Sequence, residues 1–217
     1  MKHIMVCVLI VVGIGVDVTY GQFGVPWRHA PKITVVGPAG DSRLQAVDEA
    51  VAFWNRTLAE IGSGFRLGPV THMVRPVPED ALQLLSGSVL SGRARSANVP
   101  PALRDLPGDL TIVLAESEFV SFAGPFDENS KRVVGIRGAS FPPMNLPNVP
   151  RNVVTHELGH AIGLGHNSDP AMLMCGRPAP CRPGLFRSDQ PRMFPLTGDE
   201  KHRLLTMYPP QWKPHSR

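Results

Sequence analysis

No block of like charge runs through this chain of 217 residues. Its 22 lysines and arginines are scattered among 18 acidic residues, for a formal net charge of +4 at pH 7. That scatter excludes the basic stripe of a nucleic-acid binder and the polybasic patch of a membrane-surface protein. Internal repeats and a second-domain boundary are absent too, which leaves one domain of ordinary size, and 42% apolar residues are enough to bury its core. No apolar run reaches the roughly 18 residues of a membrane span. The longest, residues 4–16, follows Lys2 and His3 and precedes the small residues Thr19 and Gly21. This order reads as a signal peptide over residues 1–21, with cleavage after Gly21 and export as its consequence; an uncleaved membrane anchor is the alternative. The expected destination is extracellular, with the periplasm or cell surface included.

Cysteine is scarce, at 3 residues. Cys7 leaves with the leader. Cys175 and Cys181 remain as an even pair around the proline-rich residues 176–180, so an oxidising compartment implies a local disulfide. Two free thiols are the alternative, and a second zinc site has no neighbouring partners. Proline and glycine are plentiful, at 23 and 21 residues, and point to long ordered loops around modest regular structure.

Residues 22–31 carry Pro26, Trp27 and Pro31 without a clear period and are expected to pack as an N-terminal arm. Residues 32–36 read as a strand closed by Gly37 and Pro38. Ser42 is the expected cap of the next helix, with Gln45 three residues on. Leu44, Val47, Val51, Trp54, Leu58 and Ile61 then form one apolar helical stripe ended by Gly62 and Gly64. Residues 65–67 with 70–74 suggest a second strand, and residues 79–89 a short helix. Residues 91–108 read as a loop and residues 110–114 as the strongest strand. Residues 119–123 form a weaker extended piece, and residues 133–136 another strand. Asn148 is the expected cap of a helix with Pro150 in its first turn. Helices alternating with strands favour a sheet with parallel members.

That last helix carries His156-Glu157-Leu158-Gly159-His160-Ala161-Ile162-Gly163-Leu164-Gly165-His166. On a helix, His156 and His160 share one face a turn apart, so each can give a nitrogen to one Zn²⁺. Gly163 suits the helix-ending turn because glycine enters the left-handed conformation cheaply, and the chain can then return His166 as third ligand. Three protein ligands leave a fourth position for water, as in a catalytic rather than a structural site. Glu157 adjoins the first ligand and can serve as base and then acid toward that water and a leaving amine. Peptide-bond hydrolysis is the reaction these groups support best.

The pattern H-E-x-x-H-x-x-G-x-x-H resembles the signature of the metzincin metallopeptidases. Met174, eight residues past His166, matches the spacing of the methionine turn in the matrixin branch, with Met172 as the fallback; Asn167 stands where matrixins commonly carry serine. The resemblance implies an α+β catalytic domain over residues 22–217. Its parts would be a twisted, mixed, mostly parallel sheet with an edge strand, a long packing helix, a metal helix, a Met-turn and a C-terminal helix. Thr197 and Glu200 form a capping box for that final helix. The resemblance further implies a secreted, monomeric zinc endopeptidase acting on protein or peptide substrates. The substrate would add to the edge strand Phe119, Val120, Ser121, Phe122 and Ala123 by β-augmentation. The Cys175–Cys181 loop would wall the pocket where relatives carry Pro-x-Tyr. No propeptide cysteine lies between the leader and His156, so latency by that route is unavailable. The His- and Asp-rich segment of many relatives is not recognisable; Asp127, Glu128 and Asn129 read as a calcium site or as a plain solvated turn. A non-catalytic zinc-bearing peptide-binding module and a membrane-anchored peptidase are the competing readings.

Overall fold

Alternation of side chains along five short strands sets two cores, one on each face of a single sheet. The computed structural model describes residues 24–127, 131–176, 181, 188 and 190–214. The expected signal peptide lies outside them. The strands are β1 (Ile33–Gly37), β2 (Val70–Val74), β3 (Leu110–Leu114), β4 (Phe122–Gly124) and β5 (Arg132–Ile136), in the order β2-β1-β3-β5-β4. All neighbours are parallel except β4, which runs antiparallel to β5 at the edge. Ile33, Val35, Leu110, Ile112, Leu114, Val134 and Ile136 face one core, whereas Val36, Val113 and Val133 face the other. Strands β1, β3 and β5 are buried throughout, as strands covered on both faces must be.

Helices α1 (Arg43–Glu60) and α4 (Asn148–Ala161) cover the first face. Helices α2 (Glu79–Leu90) and α3 (Pro101–Arg104) cover the second. The expected stripe on α1 buries Val47, Val51, Trp54 and Leu58. The indole N–H of Trp54 donates to the Thr155 carbonyl at 2.9 Å, which fixes α1 against α4. Helix α5 (Gly198–Met207) opens on the expected capping box, with Glu200 N–H to Thr197 Oγ1 at 3.1 Å and Thr197 N–H to Glu200 Oε2 at 2.8 Å.

Several local expectations are corrected. Ser42 makes no capping bond; Asp41 does that work, its Oδ1 accepting from Arg43 N–H at 2.8 Å. Asp41 and Glu116 also hold the buried Arg43 guanidinium, which donates to the Ala115 and Arg137 carbonyls as well. Residues 65–67 are not strand, because the Asn55 side chain on α1 takes both backbone groups of Leu67. The loop over 91–108 contains a 3₁₀ turn (Ser96–Asn98) and α3. Asn148 does not cap α4 but begins it after Pro147. Its side chain is spent elsewhere, donating to the Ser188 and Gln190 carbonyls and accepting from Arg192 N–H. Asn152, one turn on, receives Phe194 N–H and donates to the Arg192 carbonyl. These two asparagines moor the returning chain along α4, toward α5.

Candidate metal centre

Helix α4 ends where the sequence places its glycine. Gly163 has φ of 106°, its N–H donates to the His160 carbonyl at 2.9 Å, and Leu164 N–H donates to the Gly159 carbonyl at 3.0 Å. This pair of bonds is the Schellman motif. A side chain at Gly163 would also meet Met207 Sδ, 2.8 Å from where its Cβ would lie. The carbonyls left over at the helix end have donors from three other elements. Ala161 receives the Trp27 indole N–H at 2.9 Å and the Arg132 guanidinium; Ile162 receives the Tyr208 hydroxyl at 3.0 Å. Gly163 receives Arg203 Nε at 3.4 Å. Trp27 thus ties the chain before β1 to the turn that returns His166.

The turn brings three imidazoles together. Nε2 of His156 lies 3.0 Å from that of His160 and 3.2 Å from that of His166, and the last two are 2.9 Å apart. Nδ1 of His156 donates to the Leu173 carbonyl and Nδ1 of His160 to the Leu164 carbonyl, both at 2.8 Å. A carbonyl only accepts, so both Nδ1 atoms carry the proton and both Nε2 atoms keep the lone pair. Burial, and then repulsion from His166, push the His160 pKa down to about 4, so that ring is neutral at physiological pH. The Nε2 lone pairs of His156 and His160 face each other at 3.0 Å and cannot satisfy each other by hydrogen bonding, whereas a cation shared by the three rings satisfies both. The edge of a tetrahedron with zinc–nitrogen bonds of 2.0–2.1 Å is about 3.3–3.4 Å, a few tenths of an ångström above the observed spacing. The three histidines therefore fit a metal ion, and the carbonyls behind two of them orient the rings as outer partners do in metal sites.

Glu157 is 7% exposed. Burial pushes its pKa up to about 8 in the metal-free protein. Met174 is fully buried beneath α4: a Cβ at Gly159 would stand 2.5 Å from its Sδ and 2.9 Å from Trp54. Of the two candidate methionines, Met174 packs against α4 at Gly159, while Met172 is only half-buried. Cys175 and Cys181 are disulfide-bonded. Of the expected edge segment, Phe122 and Ala123 lie in β4. Phe119, Val120 and Ser121 precede it: the Val120 carbonyl accepts from Ser86 Oγ, and Ser121 Oγ accepts from Arg137 N–H. Asp127 accepts Ser96 N–H at 2.5 Å; Glu128 and Asn129 lie outside the described residues.

Three contributions to the site escape a reading of the motif alone. Gly159 admits Met174, and Gly176 lies so close to His166 that a Cβ there would overlap the ring. Asn167 donates from Nδ2 to Glu200 Oε1 at 2.5 Å, so the capping box of α5 also holds the residue after the third histidine. The departure from serine at position 167 was the one visible signal. No family model and no curated protein sequence matches the chain. Among the described residues, no helix is long and apolar enough to cross a membrane.

Proposed function

We propose that the chain is a secreted zinc-dependent endopeptidase of the metzincin kind, similar to the matrixin branch. One observation carries this reading: three histidine Nε2 atoms converge on a common point, and a buried carboxylate adjoins the first of them in the same helix. Zinc held there would supply a Lewis acid for the scissile carbonyl and an acidified water. Neutral His156, His160 and His166 leave that ion its full positive charge. Glu157 accepts the proton of the attacking water and returns it to the leaving amine, serving first as base and then as acid. Burial raises its affinity for that proton, and a cation beside it draws the affinity back toward the neutral range, where a group that must both take and give works best. Met174 packs against Gly159 as a floor for the ligand helix. The edge strand β4 offers its backbone to an extended substrate segment. The disulfide supports an oxidising compartment.

Protein loaded with one equivalent of zinc is expected to cut an unfolded polypeptide, to stop when the metal is stripped by a chelator, and to resume when zinc is restored. Fully loaded protein that captures unfolded chains without cutting them would instead be a peptide-binding module.

A further inference from the structure

His156 and His160 are held by a helix. His166 lies beyond the helix-ending turn, and it is the most exposed of the three rings. Its neighbour Asn167 pairs with Cys175 as an isolated β-bridge: Asn167 N–H donates to the Met174 carbonyl at 2.9 Å, and Gly176 N–H donates to the Asn167 carbonyl at 3.1 Å. Gly176 lies against the His166 ring, with no room between them for a side chain. The residue between Met174 and Gly176 is Cys175, which is covalently tied to Cys181 six positions on. The third ligand is thus pressed from one side by a short backbone segment, and that segment is anchored by a crosslink.

We propose that the Cys175–Cys181 disulfide, acting through Gly176, is a clamp that positions His166, so that oxidation of the cysteine pair and tight metal binding are linked. The inference rests on the reading of the three histidines as a metal site. Closing the clamp takes two electrons and two protons from the Cys175 and Cys181 thiols, passed to a small-molecule disulfide that leaves as two thiols. With the clamp open, the 174–176 segment and the His166 ring gain freedom that metal binding must remove again. Loss of an outer partner of a ligand typically costs about 10–100-fold in metal affinity, and that is the expected loss here. Coupling of this kind is reciprocal. Bound metal should therefore make the disulfide harder to reduce by the same factor, about 30–60 mV for a two-electron couple.

The test uses cobalt(II), whose visible spectrum reports its ligands, in competition with a chromogenic chelator. Three proteins are compared: the oxidised wild type, the double variant C175S/C181S, and G176A, which keeps the disulfide but drives a methyl group into the His166 ring. Both variants should bind cobalt about 10–100-fold more weakly with an altered spectrum. Should the double variant fail to fold, titration of the wild type with reduced and oxidised glutathione, with and without metal, reads the same coupling from the other side. A merely structural crosslink would lower the unfolding midpoint while leaving affinity, spectrum and the glutathione midpoint unchanged, and that result overturns the clamp. Wild-type protein that binds no metal at all would overturn the underlying metal site as well, so the two failures are told apart.

Discussion

Replacing Glu157 by glutamine should stabilise the metal-free protein, and increasingly so as the pH rises. Burial moves the carboxyl from 4.5 to about 8. A group whose pKa is raised by folding lends its full stabilising contribution below the unfolded value and loses it as the pH climbs through the folded value. At roughly 1.4 kcal/mol per unit, the whole shift is worth about 5 kcal/mol, of which about 2 kcal/mol is lost between pH 6.5 and 8. Glutamine has nearly the same shape and no proton to lose, so E157Q escapes that loss. His160 acts in the opposite sense. Its pKa falls from 6.5 to about 4 on burial, so its contribution is present above 6.5 and lost as the pH drops through 4. The metal-free wild type should therefore be most stable between about pH 4.5 and 6.5. Urea denaturation of both proteins in chelator, from pH 5.5 to 8, reads the effect directly. The stability difference should widen by about 2 kcal/mol between pH 6.5 and 8, and added zinc should narrow it by favouring the carboxylate. A difference independent of pH would refute the argument that Glu157 is a desolvated carboxyl.

Removing the disulfide as C175S/C181S should cost about 2 kcal/mol from the short ring alone, lowering the melting temperature by roughly 4–8 °C in calorimetry. Asn152→Ala leaves Phe194 N–H and the Arg192 carbonyl without their partner, and should cost about 2–4 kcal/mol in chemical denaturation. Gly159→Ala forces a methyl group against Met174 Sδ and Trp54, and should destabilise by about 1–3 kcal/mol with a changed near-ultraviolet Trp signal. Trp27→Phe keeps an aromatic ring but removes the donor to the Ala161 carbonyl and some buried volume; since Arg132 also reaches that oxygen, the cost should be about 1–3 kcal/mol in chemical denaturation.

The histidine cluster was legible because its logic is local. Histidines at i and i+4 share a helix face whatever surrounds them, and Gly163 announces the turn that returns His166. The capping box at Thr197 and Glu200 was legible for the same reason. The sheet followed from apolar runs at β1, β3 and β5, whose strands are buried on both faces. Long-range polar contacts carry no such local signature. Ser42 and Asn148 are good capping residues by type, yet Asp41 captures the first helix and Asn148 is drawn to a segment some 40 residues away. The extended reading of 65–67 failed because Asn55, across α1, satisfies that backbone first. Arg43 and Arg132 look like two more surface cations in the sequence. Folding instead buries both among carbonyls, one at the start of α1 and one beneath the end of α4. The contact of Gly176 with His166 was equally hidden, since it depends on how two turns meet.

The central claim is that this chain hydrolyses peptide bonds through a metal on His156, His160 and His166 with Glu157 as the proton carrier. Its most direct test is to measure zinc content and cleavage of an unfolded protein together, for the wild type and E157A. The account predicts one zinc per chain in both proteins, chelator-sensitive cleavage by the wild type, and a rate about 10²–10⁴-fold lower in E157A. Cleavage by zinc-loaded E157A at the wild-type rate would contradict it.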